Sequence, residues 1–219
     1  MTRPLPIGVL VSGEGTTLDG IAELALGHHL GARIAIVVAD RPHARAIERA
    51  RGRGLPTLVL PSHGVEPRDW GDRLSRELEA QSVELVVLAG FLTILPPAWL
   101  ERWRGRVINV HPSLLPRHGG PGMYGRRVLA ATLAAKERET GATVHLVTDE
   151  VDGGPTIAQS RIPVRPDDDV DSLRTRLHPV EVSLLAETIR RFAEGLLPLP
   201  YPEREAPAAG RRDRPDARE

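Results

Sequence analysis

Short apolar segments rich in β-branched residues alternate with helix-like segments along most of this chain, and this alternation limits the folds that the chain can adopt. Strand-like runs occupy residues 6–12, 33–39, 55–60, 83–89 and 107–110. Strands that alternate with helices are joined by crossover connections, so they form a parallel sheet covered by helices on both faces. The sequence therefore predicts an α/β fold built on a doubly wound, mostly parallel sheet.

The last two strand-like segments depart from this alternation. Residues 141–148 and 156–164 are separated only by a tight acidic turn, which is too short to hold a crossover helix. They are therefore predicted to form an antiparallel strand pair near the C-terminal part of the sheet. Two helices are predicted after them, over residues 167–177 and 181–195.

The composition favours one globular domain. The chain has 219 residues, of which 41% are hydrophobic, and its mean hydropathy is -0.21, so it can bury a full core. We expect a single catalytic domain over residues 1–200. Residues 201–219 are mostly Pro, Glu, Arg, Ala and Asp with almost nothing to bury, so we expect a disordered tail there.

Charge, hydropathy and cysteine content exclude several functional classes. The 29 basic and 29 acidic residues cancel, so nothing indicates a nucleic-acid partner. No apolar run reaches the roughly 20 residues that span a membrane, and the N-terminus lacks the apolar core of a signal peptide. The absence of cysteine excludes disulfides and thiolate metal sites. These features fit a cytoplasmic enzyme or binding protein. We also expect a monomer or homodimer that acts on a small molecule without a metal, an expectation that rests on the family resemblance described below and not on composition.

Asn109 and His111 stand at the end of the predicted strand 107–110, immediately before Pro112. Side chains alternate along a strand, so the two side chains point to the same face. In an open α/β sheet, ligands bind beyond the carboxyl ends of the strands. An amide and an imidazole held side by side can polarise a carbonyl and move a proton near neutral pH. We therefore interpret this pair as a candidate catalytic site, against the simpler reading of two hydrogen-bonded core residues.

The turn after the first strand, Ser12-Gly13-Glu14-Gly15-Thr16-Thr17, leads into a helix and is a candidate phosphate site. Glycine permits close approach of the backbone to a ligand, and the amino end of a helix attracts anions. Glu14 would repel a phosphate unless it points away or is offset by a cation. Candidate cations are Arg117, Arg126 and Arg127.

Three separated motifs resemble those of the folate-dependent formyltransferases, which use 10-formyltetrahydrofolate. They are Asn109-x-His111-Pro112-Ser113-Leu114-Leu115-Pro116, His145-Leu146-Val147-Thr148 and Asp152-Gly153-Gly154. The resemblance covers about residues 6–195 and is greatest to members that formylate glycinamide ribonucleotide in purine synthesis. It implies a Rossmann-like formyltransferase fold, 10-formyltetrahydrofolate as co-substrate and a phosphorylated ribosyl glycinamide as acceptor.

The resemblance also implies roles for individual residues. Catalysis is carried over to Asn109, His111 and Asp152. Acceptor binding is carried over to Gly15, Thr16, Thr17 and Glu181. Folate binding is carried over to Arg68, Leu92, Thr93, Ile94, Leu95, Asn109, Thr148, Asp149, Glu150 and Val151. The chain departs from the usual family pattern at Glu14, Thr17 and Thr93, the last of which replaces a commoner basic residue. The glycine-rich loop 117–125 reads as a mobile lid and receives no catalytic role.

The chemistry of formyl transfer fits these residue types. Attack of an amine on the formyl carbonyl creates an oxyanion, which the Asn109 amide and a protonated His111 could stabilise. We expect Asp152 to orient the imidazole of His111 and to raise its pKa. Two alternatives remain open at this point. One is a related formyltransferase that acts on another amine, such as an amino-sugar nucleotide, and the other is a folate-binding homologue without turnover.

Overall fold

The computed structural model describes residues 3–203, which form one sheet of seven strands flanked by six helices. The strands are β1 (Leu5–Val11), β2 (Ala32–Ala39), β3 (Thr57–Val59), β4 (Leu85–Leu88), β5 (Val107–His111), β6 (Glu139–Leu146) and β7 (Thr156–Pro163). The helices are α1 (Thr16–Leu26), α2 (Arg45–Gly52), α3 (Pro67–Ala80), α4 (Pro97–Arg102), α5 (Arg126–Ala134) and α6 (Val170–Ala193).

The strands lie in the order β3-β2-β1-β4-β5-β6-β7. The first five pair in parallel, whereas β6 pairs antiparallel with both β5 and β7. The predicted α/β fold with a doubly wound, mostly parallel sheet is therefore confirmed. The antiparallel region is larger than predicted, because it extends to the junction between β5 and β6.

The strand order reverses direction between β1 and β4. The chain builds outward from β1 through β2 to β3, and then places β4 on the opposite side of β1. All seven residues of β1 are buried, because one apolar core lies on each face of the sheet. Open α/β sheets bind ligands where the order reverses. A ligand site is therefore expected at the loops after β1, β4 and β5.

Helix α6 differs from the prediction of two helices over 167–177 and 181–195. It is continuous for 24 residues and passes through Pro179. Pro179 lacks the N–H of one intrahelical hydrogen bond, but packing of a buried face offsets this loss. The buried residues continue on both sides of the proline and include Leu173, Leu177, Leu185 and Ile189.

The segment after α6 returns to the domain. The N–H of Tyr201 donates to the carbonyl of Gly105 at 2.7 Å, and the Tyr201 ring lies edge-on to Phe192 with centroids 6.0 Å apart. The remainder of the predicted tail, residues 204–219, lies outside the described part of the chain. Between residues 3 and 203, no helix is both long and apolar enough to cross a bilayer.

Candidate active site

Two adjoining cavities open at the carboxyl ends of β1, β4 and β5. The β6-side cavity, of about 430 Å³, is bounded by the loops that follow β4, β5 and β6. The β1-side cavity, of about 380 Å³, is bounded by the loop after β1 and by α6. They share a wall formed by Gly90, Leu92, Val110, Pro112, Tyr124 and Gly125.

Strand β5 supplies two polar side chains to the β6-side cavity, Asn109 and His111. They lie two positions apart on β5, so the alternation of the strand directs both side chains to the same face. His111 is 3% exposed, so its imidazole is held by the surrounding protein rather than by solvent.

Asp152 lies in the turn between β6 and β7 and approaches two histidines. Its Oδ2 lies 3.5 Å from Nδ1 of His111, and its Oδ1 lies 3.5 Å from Nε2 of His145. The backbone N–H of Gly120 donates to Oδ2 at 2.9 Å. Asp152 has a φ of 57°, in the left-handed region that Asp tolerates better than most residues. The turn therefore places one carboxylate within reach of both imidazoles.

His145 joins the site although the sequence reasoning gave it no role. Strand β6 pairs with β5 so that His145 directly opposes Asn109. The Nδ1–H of His145 donates to the Leu146 carbonyl at 2.9 Å, which leaves Nε2 to accept a hydrogen bond from the Asn109 amide at 3.0 Å. One amide hydrogen of Asn109 is thereby fixed, and the other remains for a ligand. No local sequence pattern indicates this contact, because it depends on the antiparallel register of β5 and β6.

Burial dominates the ionisation of His111. Desolvation of the imidazole lowers its pKa below the ordinary histidine value, although the Asp152 charge and the hydrogen bond to the His118 carbonyl act in the opposite direction. The expectation of a raised His111 pKa is therefore wrong, because it considered the carboxylate and not the burial. Burial also acts to raise the pKa of Asp152, but His145, His111 and the Gly120 N–H outweigh it and lower that pKa overall.

The glycine-rich loop 117–125 packs against this cluster. The Nε2–H of His111 donates to the carbonyl of His118 at 2.9 Å, and the loop also supplies the N–H that Asp152 accepts. Met123 and Tyr124, further along the loop, line the β6-side cavity. The loop is thus part of the candidate site, whereas the sequence reasoning gave it no catalytic role.

Nine of the ten residues that the resemblance connects with folate line the β6-side cavity. On the β4 side, Leu92 is 36% exposed and Ile94 is 70% exposed, so apolar surface faces the opening. The tenth residue, Arg68, lies in the first turn of α3 and lines neither cavity. Those that line the cavity are Leu92, Thr93, Ile94, Leu95, Asn109, Thr148, Asp149, Glu150 and Val151.

All four residues that the resemblance connects with the acceptor line the β1-side cavity. Gly15 caps α1 with a φ of 77°, and a Cβ there would lie 2.6 Å from the Cβ of Ala46. Only glycine fits this turn, and Thr16 and Thr17 follow it in the first turn of α1. On the other side of the cavity, burial raises the pKa of Glu181 to about 7, against the opposing charge of Arg174.

Glu14 also lines the β1-side cavity, but its carboxylate lies 3.4 Å from Nη1 of Arg45 on α2. The cations suggested from the sequence are used elsewhere. Arg117 pairs with Glu137, Arg126 pairs with Asp171, and Arg127 stacks on the ring of Tyr124. The expectation that one of them offsets Glu14 is therefore wrong. Arg45 lies far from Glu14 in the sequence, which hid the pairing.

Helix α6 adds two basic side chains to the β1-side cavity that the sequence reasoning missed, Arg174 and His178. Arg174 is exposed, and its positive charge lowers the pKa of His178 in addition to the larger effect of burial. The Nε2 of His178 is buried and has no hydrogen-bond partner within residues 3–203. Both side chains line the β1-side cavity, where their basic groups are available to a bound ligand.

Comparison with known proteins gives a consistent set of relatives. Residues 6–189 match the sequence model of the family described as formyl transferase. The phosphoribosylglycinamide formyltransferase of Haemophilus influenzae is 34% identical over 194 residues, which is 88% of this chain and 89% of that protein. The trifunctional purine biosynthetic protein adenosine-3 of Drosophila melanogaster is 39% identical over 180 residues, but this chain spans only 13% of its length. The crystal structure of glycinamide ribonucleotide transformylase 1 from Symbiobacterium toebii superposes with a TM-score of 0.82 at 36% identity, covering 89% of this chain and 90% of that one.

Proposed function

The chain belongs to the formyl transferase family, and from this premise we propose that it transfers a formyl group from 10-formyltetrahydrofolate to the primary amine of glycinamide ribonucleotide. The observation that carries the proposal is the pair of adjoining cavities with a common wall. A two-substrate transfer requires two binding spaces that meet at the reacting atoms. Asn109 and His111 line the β6-side cavity next to this wall, because they alternate along the chain with Val110 and Pro112, which border both cavities.

The β6-side cavity suits the formyl donor. Its apolar wall of Leu92, Ile94 and Leu95 accommodates a flat heteroaromatic ring, and the turn at 148–152 offers polar backbone and side-chain groups to the ring edge. The formyl carbon would then lie next to the Asn109 amide. Under this assignment, nine of the ten residues that the resemblance connects with folate would surround the donor.

The β1-side cavity suits a phosphorylated acceptor. The amino end of α1 at Gly15, Thr16 and Thr17 attracts a phosphate. Arg174 and His178 on α6 contribute basic groups to the same space, and the pairing of Glu14 with Arg45 reduces the repulsion from Glu14. The ribosyl amine would extend from the phosphate towards the shared wall.

The reaction needs an oxyanion site and a proton path. The amine nitrogen attacks the formyl carbon, and the carbonyl electrons move onto oxygen to form a tetrahedral intermediate. The free N–H of Asn109 donates to this oxyanion, which typically contributes about 3–4 kcal/mol to lowering the barrier. The intermediate then expels the folate nitrogen, which takes up the proton that the amine has lost.

His111 is the group best arranged to move that proton. Its Nδ1 faces Asp152, and its Nε2 donates to the His118 carbonyl at 2.9 Å. A carbonyl oxygen at Nε2 occupies the position that an oxyanion or the reacting amine would take. We infer that loop 117–125 exchanges this contact for substrate during turnover. Once that contact is released, the hydrogen of the neutral imidazole lies on Nδ1 towards Asp152, so Nε2 takes up the proton of the amine and passes it to the leaving folate nitrogen. The lowered pKa favours the neutral imidazole before attack, and the Asp152 carboxylate stabilises the imidazolium that forms after proton uptake.

A formyl-transfer assay with 10-formyltetrahydrofolate and glycinamide ribonucleotide tests the proposal directly. We expect deformylated tetrahydrofolate and formylglycinamide ribonucleotide in equal amounts. Turnover with an amino-sugar nucleotide but not with glycinamide ribonucleotide would overturn the acceptor assignment. Binding of both ligands without turnover would overturn the enzymatic proposal.

A further inference from the structure

A second polar cluster lies behind the loop that forms the apolar wall of the β6-side cavity. Asp40, immediately after β2, is 2% exposed, and its carboxylate accepts a hydrogen bond from the Thr93 hydroxyl at 2.6 Å. The hydroxyl of Ser62 lies 2.9 Å from the same Thr93 oxygen. Asp40 lines neither cavity, so any effect that it has on a ligand there is exerted through another residue.

Chemistry fixes the direction of the hydrogen bonds in this cluster. An ionised carboxylate can only accept, so Thr93 gives its single hydroxyl hydrogen to Asp40. The oxygen of Thr93 is then free to accept from the hydroxyl of Ser62. The chain of donation runs from Ser62 through Thr93 to Asp40, and it ties the loop after β4 to the segments that follow β3 and β2.

The buried carboxylate of Asp40 depends on this contact. Its Oδ1 has no hydrogen-bond partner within residues 3–203, and the nearest cationic atom, Nε of Arg41, lies 3.8 Å from Oδ2. A buried carboxylate is costly unless it accepts hydrogen bonds. The neighbouring residue of the loop is held as well, because the N–H of Leu92 donates to the hydroxyl of Ser12 at 2.8 Å.

We propose that Asp40 is a positioning residue for the formyl donor, and that it acts by holding Thr93. The inference rests on the proposed function, since it requires the donor to occupy the β6-side cavity. Leu92 and Ile94 flank Thr93 and present partly exposed apolar surface to that cavity. Exposed apolar side chains on an untethered loop would have to be ordered when the donor binds. A tether at Thr93 removes that cost in advance, and preorganisation of this kind improves affinity.

The test compares Asp40→Ala with Asp40→Asn. We expect Asp40→Ala to raise the KM for 10-formyltetrahydrofolate about tenfold, which corresponds to about 1.4 kcal/mol. The kcat at saturating donor and the KM for the acceptor should stay within about twofold. Asp40→Asn should restore most of the donor KM, because an amide oxygen can still accept from Thr93. Thr93→Val should raise the donor KM similarly, and the double variant Asp40→Ala/Thr93→Val should be no worse than Asp40→Ala alone.

Ser75→Ala is a matched control. It removes a buried hydrogen bond that the indole of Trp103 donates at 3.0 Å, on the same face of the sheet but away from the cavity wall. It should lower the Tm and leave the donor KM unchanged. If Asp40→Ala does not fold, the pair Thr93→Val and Thr93→Ser makes the same comparison, with Thr93→Ser keeping the hydroxyl.

An unchanged donor KM in Asp40→Ala and Thr93→Val would overturn the inference, as would equal increases in the donor and acceptor KM values. Direct titration of 10-formyltetrahydrofolate separates this failure from failure of the proposed function. No binding to the parent protein contradicts the proposed function. Equal binding to the parent and to Asp40→Ala contradicts the positioning role alone.

Discussion

The Oδ2 of Asp152 lies 3.5 Å from the Nδ1 of His111, and both side chains are largely buried. The turn after β6 and the end of β5 bring the two groups together across an antiparallel strand junction. Burial lowers the pKa of His111, so the carboxylate is the group that makes a protonated imidazole attainable during turnover. The antiparallel pairing of β5 with β6 therefore helps to position the carboxylate that stabilises protonated His111.

Replacing the carboxylate tests that link. We expect Asp152→Asn to lower kcat by about 10²-fold or more, which is typical of the loss of an acid–base partner, with little change in either KM. The neutral amide cannot stabilise an imidazolium at His111. Steady-state kinetics measure the effect, and Asp72→Asn on the exposed face of α3 is the control. A kcat within a few-fold of the parent would contradict the proposed role of Asp152.

Glu181, which is partly buried in the wall of the β1-side cavity, predicts an unusual dependence of stability on pH. Its pKa is raised from 4.5 to about 7 in the folded state, so between these values the folded protein binds more protons than the unfolded chain. Stability therefore falls as pH rises from about 4.5 to 7, by an amount on the order of 2–3 kcal/mol for this group. We expect Glu181→Gln to be more stable than the parent at pH 8 and to gain little at pH 4.5.

Thermal unfolding of the parent and Glu181→Gln at these two pH values measures the effect. Glu77→Gln, an exposed glutamate on α3, should behave like the parent at both. A Glu181→Gln gain that is the same at both pH values would show that charge burial is not its cause.

The pairing of Glu14 with Arg45 predicts a rescue experiment. Arg45→Ala leaves the Glu14 carboxylate unpaired at the edge of the β1-side cavity, so we expect the acceptor KM to rise about threefold at low salt and less at high salt. Glu14→Asn alone should change the KM little, because Arg45 already offsets the charge. Adding Glu14→Asn to Arg45→Ala should restore the parent value. No rescue in the double variant would mean that Arg45 acts on the acceptor directly.

Arg174 is expected to contribute to binding of the acceptor phosphate. Its removal in Arg174→Ala should raise the acceptor KM about tenfold and leave the donor KM unchanged. The dependence of the acceptor KM on salt should also become weaker, since one cation fewer faces the phosphate. Arg73→Ala on the exposed face of α3 provides the control. Equal effects on the two KM values would argue against this assignment.

The parallel part of the sheet could be predicted from the sequence because its strands are short, mostly apolar runs between turn residues, a signal that needs no long-range information. The antiparallel pairing of β5 with β6 was missed because that register is set by tertiary packing. The hydrogen bond between Asn109 and His145 was missed for the same reason. The continuity of α6 through Pro179 depends on packing of its buried face, which outweighs the tendency of proline to interrupt a helix.

For the site, the resemblance located residues that carry a recurring motif, such as Asn109 and the turn at Asp152. It did not find Arg174 and His178, because single basic residues on a helix have no distinctive sequence signal. The candidate cations that the sequence suggested for Glu14 do not pair with it, because ion pairs between distant segments depend on the three-dimensional placement of the loop before α1 and of α2. The direction of the His111 pKa shift required knowledge of burial, which a sequence pattern does not contain.

The wall shared by the two cavities limits how this protein could acquire a new substrate. Val110 and Pro112 border both binding spaces, so a substitution in either is expected to disturb recognition of both reactants at once. Arg174, His178 and Thr17 border the β1-side cavity alone. Natural divergence or laboratory selection towards a different amine would therefore find its tolerated changes on α1 and α6, while β5 stays constrained by the reactant that does not change.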